Sequence, residues 1–143
     1  MGMREFTTLR LVKSEDLNHH QTLFAGRGAE WFVESGFIAA SSLADPRFLV
    51  CVKIHGMRFR KPVRSGDTVC FTSRVVHAGR TSLVSHVRVC IMDEADTVVE
   101  GFVSFVHVDS ATRPAPHGIV VEPSTDEERR ISAEAAELVS RRD

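Results

Sequence analysis

The sequence predicts an α+β domain: a curled antiparallel sheet of about five strands wrapped around one central helix, with a further helix at the C-terminus. Three observations carry this. A single strongly apolar helical stretch lies near the N-terminus, within NHHQTLFAGRGAEWFVESGFIAA (18–40). Strand-like sequence covers nearly all of the chain that follows it, up to Val108. The last three of those strands are joined by short turns, which pairs them antiparallel.

Glu5 to Lys13, EFTTLRLVK, reads as the first strand, with its facing only partly resolved by alternation. Ser14 to Asn18 is polar and turn-like. The helix follows, opening through Asn18, whose side-chain oxygen suits a helix N-terminus, and ending near Ser41 and Ser42. Gly26 and Gly28 allow close backbone approach where it begins. Trp31, Phe32, Val33, Phe37, Ile38, Ala39 and Ala40 make it apolar around most of its circumference, as in a buried helix. Glu30 and Glu34 sit within it, one turn apart. Acids on a buried helix need a reason.

Pro46 ends the helical region and biases Asp45 towards an extended conformation. Arg47 to Lys61, RFLVCVKIHGMRFRK, reads as a long strand. Its first half is nearly continuous apolar, the pattern of a strand covered on both faces. Gly56 interrupts it and predicts a bulge or a close approach of backbone or ligand. Arg64 to Asp67 forms a turn. Thr68–His77, Thr81–Met92 and Thr97–Val108 are the remaining strands, with turns at 78–80 and 93–96. Ala111 to Pro123 reads as an extended connector. Ser124 with Glu127 gives a capping-box start to a terminal helix running to about Arg141. Its narrow stripe, Ile131, Ala135, Leu138 and Val139, suits an edge, a partner subunit or a frayed end. The expected organisation is a domain over 1–110, with the connector and helix of 111–143 packed on the same domain.

A chain of 143 residues has room for a core in one domain. The formal net charge of -1 gives no electrostatic case for nucleic acid or an anionic membrane. The run DEERR (126–130) reads as a solvated helix face. Three cysteines, Cys51, Cys70 and Cys90, without CxxC spacing, argue against a disulfide framework and a zinc site, and read as buried free thiols. No leader pattern or membrane-length apolar run is seen, so a soluble cytoplasmic protein without membrane partners is the expectation.

Three motifs fall in order along this plan. Asn18, Thr22, Leu23, Phe24, Gly26 and Trp31 come first, then Phe59, Pro62, Val63, Gly66 and Asp67 in FRKPVRSGD, then Gly79, Arg80, Thr81 and Ser82. With them the chain, from about Glu5 to Val108, resembles the hotdog-fold acyl-CoA thioesterases of the acyl-CoA hydrolase family. Members of that family carry N-x-x-G-x-L-F-G-G, a helix with a tryptophan and an acid, F-x-x-P-V-x-x-G-D and G-R-(S/T)-S. Two departures stand out. Gln21 and Ala25 occupy glycine positions of the first motif. Counted from Asn18, the family's helix carboxylate falls on Val33, which can be neither base nor nucleophile.

The resemblance implies hydrolysis of an acyl-CoA thioester to a carboxylic acid and CoA, with no cofactor beyond the CoA of the substrate and no metal. Such a reaction needs a carboxylate to activate water or attack the carbonyl, and N–H donors for the oxyanion. Glu34 is the first choice for the carboxylate, reached by a small rotation of the helix, with Glu30 the second. Asn18 would orient water or thioester. The Ala25–Gly26 backbone would supply oxyanion donors. Arg80, Thr81 and Ser82, with Gly79, are implied as CoA contacts. Arg58, Arg60, Arg64 and Arg80 form a candidate cationic rim, Gly56 a point of pantetheine approach, and His20 a weaker contact. Each has a plainer alternative: an ion-paired or seam carboxylate for Glu34, a helix cap for Asn18, solvated strand arginines, a polar turn for His20. The resemblance also implies a homo-oligomer, a dimer at least and a trimer of dimers (hexamer) in full, with the site between subunits. A non-catalytic acyl-CoA-binding hotdog protein is the alternative, favoured by Val33. A hydratase would need a catalytic His in motifs missing here.

Overall fold

The computed structural model describes residues 3–141. Five strands form one antiparallel sheet: β1 (Phe6–Leu11), β2 (Leu49–Phe59), β3 (Thr68–Ala78), β4 (Ser82–Ile91) and β5 (Thr97–His107). Their order across the sheet is β1-β3-β4-β5-β2. Helix α1 (Ala25–Ser41) lies across one face, and α2 (Asp126–Ser140) lies on the other. The strands β3, β4 and β5 form the meander expected from their short turns. The two strands flanking α1 in sequence, β1 and β2, become the two edges.

The seat of α1 is set by small residues and hydroxyls. Gly28, Ser35, Gly36 and Ala39 face the sheet and are buried. A Cβ at Gly36 would lie 3.2 Å from Val103 Cγ2 and 3.4 Å from Ser85 Cβ, so glycine lets the helix axis approach closely. Ser73 and Ser85 donate their hydroxyls to the carbonyls of Ser35 and Gly36, each at 2.8 Å. Trp31 meets Phe71 edge-on, and Phe37 meets Phe105 in the same way. The core between helix and sheet follows from these contacts, with Phe32, Val69, Phe71, Leu83, Val87, Val103 and Phe105 fully buried.

Four expectations are corrected. The first half of β2 is not covered on both faces: Val50, Cys51, Val52 and Ile54 are exposed, because β2 pairs only with β5 and forms an edge. Cys51 therefore is no buried thiol, while Cys70 and Cys90 are half-buried and face each other across β3 and β4. The cap of α2 is Thr125, whose hydroxyl accepts from Glu128 N at 3.0 Å; Ser124 instead donates to the Glu128 carboxylate. Finally, α2 sits on the sheet's outer face. Ile131 and Ala135 pack on Val76, Val84 and Phe102, and Arg74 pairs with Glu127.

The bulge at Gly56 is present: φ is +64° there, and the β2–β5 register shifts between His55 and Arg58. The close backbone approach comes from the opposite strand. A Cβ at Gly101 would meet His55 O at 2.7 Å, whereas one at Gly56 would meet nothing within 4 Å. Among the described residues no helix is long and apolar enough to cross a membrane.

Candidate functional site

Residues 17–23 form a tight loop closed by a bridge between Leu17 and Leu23. Asn18 holds it together. Its Oδ1 accepts from His20 N at 2.8 Å and Thr22 N at 3.3 Å, and its Nδ2 donates to Thr22 Oγ1 at 3.1 Å. Asn18 is thus the organiser of this turn rather than the cap of α1, which begins at Ala25 after Phe24. A residue that hydrogen-bonds its own backbone neighbours competes with helix, and here the turn wins. Gln21, in the family's glycine position, takes the left-handed conformation with φ +64°.

The loop delivers the chain to α1 with its first turn uncapped. Phe24 N donates to Asp16 O at 2.8 Å and Leu23 N to Val63 O at 2.7 Å, which fixes the approach. No side chain caps the helix. The N–H groups of Ala25 and Gly26 have no acceptor in the helix and point outward at its positive end. Asp16, only 2% exposed, receives Lys13 N at 2.9 Å and lies 3.5 Å from the Arg27 guanidinium. It pins the loop to α1. Nothing in the sequence marks it, since Asp in SEDLN reads as any polar turn residue.

Beneath this first turn lies a cavity of about 430 Å³. It opens to solvent between Asn18, Thr22, Ala25, Phe59, Arg60 and Lys61, and its floor is the packed core of Phe32, Val69, Phe71, Val89 and Val99. No carboxylate lines it. Arg60 also lies 3.9 Å from Glu100, and Lys61 pairs with Glu94.

The structure separates the two helix acids. Glu34 is ion-paired to Arg10 on β1, the edge away from β2. Glu30 is exposed and, among the described residues, makes no ion pair or hydrogen bond. At 3.6 residues per turn, Gly26, Glu30, Val33 and Phe37 form one stripe of α1. Phe37 packs on Phe105 of β5, the strand beside β2, so this stripe leans towards the β2 edge. Glu34 is turned to the other flank. The small rotation that would carry it to the position of Val33 is not made.

The remaining candidates divide by location. Arg58 and Arg60 flank the β2 end near the mouth, and Arg64 bridges to Thr22. His20 is exposed on the Asn18 loop, its ring 3.9 Å from that of His19. Gly79, Arg80, Thr81 and Ser82 form the β3–β4 hairpin, with His117 hydrogen-bonded to Arg80 O and Ser82 O. That hairpin is at the opposite end of β3 from Thr68 and the mouth, about 33 Å away at strand rise. A single chain does not bring it to the cavity. Among the described residues no cluster of three or more His, Cys, Asp and Glu is placed to hold a metal ion.

Comparison with known proteins bears on the fold and the family. The model of the Thioesterase superfamily matches residues 20–98. An uncharacterised acyl-CoA thioester hydrolase of Bacillus subtilis is 30% identical, over 89% of this chain and 75% of its own. The acyl-CoA hydrolase of Bacillus cereus superposes with a TM-score of 0.87 at 30% identity, covering 96% of this chain and 85% of that one. A hexameric acyl-CoA thioesterase gives 0.83 at 30% identity, covering 93% and 86%. The acyl-CoA hydrolase of Staphylococcus aureus, solved with butyryl-CoA and CoA, gives 0.82 at 28% identity, covering 94% and 81%. That enzyme was also solved with an asparagine and with an aspartate replaced by alanine, and the two stand as far apart as Asn18 and Val33 do here.

Proposed function

The chain belongs to the thioesterase superfamily as an acyl-CoA thioester hydrolase, and we propose that it uses Glu30 in place of the aspartate that Val33 has displaced. The carrying observation is the pairing at the helix: Glu34 is held by Arg10, while Glu30, on the stripe shared by Gly26 and Val33, has no partner among the described residues. Side chains on a helix tilt towards its N-terminus, so Glu30 reaches towards Gly26. In this reading the thioester carbonyl sits at the Ala25 and Gly26 N–H groups. Water, its proton taken by Glu30, attacks the carbonyl carbon. The oxyanion is stabilised by two N–H donors and the helix dipole. Collapse breaks the C–S bond and expels CoA as a thiolate, which takes the proton back from Glu30 and leaves the base ionised for the next cycle. Asn18, locked by Thr22, holds the mouth of the cavity in shape and orients the substrate.

The substrate is an acyl-CoA and the protein works as a homo-oligomer. The fuller assembly proposed is a trimer of dimers, supported by hexameric neighbours and by the apolar open edge of β2, where Val50, Val52 and Ile54 are exposed. A second copy across that edge is also what the distance to the β3–β4 hairpin calls for. Arg58 and Arg60 then meet the CoA phosphates at the mouth, and Gly79, Arg80, Thr81 and Ser82 come from the second copy. His20 and Gly56 complete the proposed CoA contacts. Turnover of a panel of acyl-CoAs tests the reading. Hydrolysis abolished by Glu30→Gln supports it; binding of every member with hydrolysis of none would convert it to the non-catalytic reading that Val33 favours.

A further inference from the structure

We propose that Cys70 and Cys90 form a modification site: a pair of thiols that closes to a reversible disulfide on the outer face of the sheet, at the end that α2 leaves open. The bond itself does not depend on the thioesterase reading; its effect on turnover rests on that reading.

The two residues are direct partners in the β3–β4 ladder. Val69 and Phe71 of β3, and Val89 and Ile91 of β4, are buried in the core against α1. Side chains alternate along a strand, so Cys70 and Cys90 both point to the opposite face. There α2 packs on Val76, Val84 and Phe102, towards the hairpin end of β3 and β4. The cysteines lie near the other end, where Leu9, Leu11 and Met92 stand exposed. Each thiol is half-buried, within reach of a small oxidant.

The spacing suits a bond that forms and opens. Met92 N donates to Thr68 O at 2.8 Å, which makes Thr68 and Met92 a hydrogen-bonded pair. Two residues further along each strand, Cys70 and Cys90 form another. The α-carbons of such a pair are about 5.5 Å apart, within the span that disulfides bridge. The β-carbons are about as far apart, whereas a relaxed disulfide holds them at about 3.8 Å. Closure therefore draws the strands together and leaves a strained bond, and strained bonds are the readily reduced ones. The ladder around the pair can yield. The β4–β5 register shifts between Val89 and Cys90, and Leu9, the neighbour of Cys70 on the other side, belongs to an edge strand.

The oxidant is a small disulfide, RSSR. One cysteine thiolate attacks a sulfur of RSSR, the S–S bond breaks, and RS⁻ leaves. The second thiolate attacks the protein sulfur of the mixed disulfide, forms the Sγ–Sγ bond and expels the other RS⁻. Two electrons pass from the pair to RSSR, and the two thiol protons leave on two RSH. An excess of RSH drives both steps backwards. On the inner face, Val69 and Val89 adjoin the cysteines in the chain and form part of the floor of the cleft at the start of α1. Drawing β3 and β4 together moves that floor, so oxidation slows acyl-CoA turnover.

The test uses the full chain carrying Cys51→Ser, which removes the exposed third thiol. The protein is equilibrated with mixtures of reduced and oxidised glutathione, quenched in acid, and analysed by intact mass and peptide mapping. Under oxidising mixtures it should lose two hydrogens, carry no glutathione, and yield a peptide linking Cys70 to Cys90. Excess reduced glutathione should restore the thiols. Adding Cys70→Ser or Cys90→Ser should abolish the mass loss and leave at most one attached glutathione. Two free thiols, or two attached glutathiones, at the oxidising end overturn the proposal. The oxidised protein should show kcat/KM for acyl-CoA lower by about threefold or more, recovering on reduction, with no such change in Cys51→Ser/Cys70→Ser. Unchanged kcat/KM in a fully oxidised sample refutes the link to the cleft. Hydrolysis by neither sample refutes the hydrolase reading instead, and the masses still decide the bond.

Discussion

Replacing Glu30 and Glu34 separately by glutamine gives two outcomes that the structure sets far apart. Glutamine keeps the shape of the side chain and removes the charge. At Glu34 the loss is an ion pair with Arg10 whose side chains are 49% and 39% exposed. Such pairs are screened and contribute about 0.2–1 kcal/mol. Even if all of that were felt in the transition state, the rate would change by no more than about fivefold. At Glu30 there is no ion pair among the described residues to lose, so the fold of the chain should be untouched. What is lost is the proton acceptor, and one such group contributes about a hundredfold to ten-thousandfold, or about 2.7–5.4 kcal/mol of transition-state stabilisation. The assay is release of the CoA thiol, followed with a thiol-reactive dye under saturating and limiting acyl-CoA. Glu30→Gln should lower kcat by more than about a hundredfold with KM little changed, and Glu34→Gln should stay within about fivefold. Wild-type turnover in Glu30→Gln refutes the reasoning. A collapse in Glu34→Gln would show that the Arg10 pair opens to release the acid, and would give Glu34 the role.

Two further outcomes follow from the edges and faces of the sheet. Val52→Lys places a charge on a β2 side chain that is 56% exposed in the single chain, at little cost to the fold. Mass by light scattering should fall, and with it activity; unchanged mass would move the interface away from β2. On the other face, His86 is buried and hydrogen-bonded to Glu100 at 2.8 Å, with Arg74 and Glu134 also near. Burial holds its imidazole below the ordinary value of 6.5, and the Glu100 bond opposes this without reversing it. The unfolded chain therefore binds this proton first as pH falls. The stability due to neutral His86 is present above 6.5 and lost as pH drops through and below that value. Urea midpoints measured from pH 7.5 to 5.5 should fall with pH, less steeply in His86→Gln; an identical slope in the variant would exclude His86.

The fold class was legible because pattern and turn chemistry agreed: one helix apolar around most of its circumference at Trp31 and Phe32, then apolar strands punctuated by turns with Gly and Asp. The edge position of β2 was not legible. A run such as LVCV reads the same whether its cover is its own sheet or another subunit, and only the β5 pairing told them apart. The cap of α2 slipped by one residue because Ser124 and Thr125 carry the same chemistry. Glu34 came first among the acids because it is adjacent to Val33 in sequence. Adjacent residues on a helix point about 100° apart, and Arg10, distant in sequence, took Glu34 to the other flank. The cleft was invisible for a related reason: its floor, Val69, Val89 and Val99, is core like any other, and only the fold places the exposed Phe59 and Arg60 and the half-buried Lys61 beside the start of α1.

The left-handed turn at Gln21 sets a rule on inheritance. The side chain is exposed, yet the backbone there stands at φ +64°. Glycine adopts that conformation freely, asparagine and aspartate with little difficulty, and β-branched residues at considerable cost. The tolerance of position 21 is thus set by the main chain, and variation there should look narrow and chemically arbitrary. A library of all residues at 21, sorted for folded protein, should keep Gly, Asn and Asp alongside Gln and discard Val, Ile and Pro; an even spread would mean the loop gives way. What such a library would record is the cost of keeping Asn18 and Thr22 face to face.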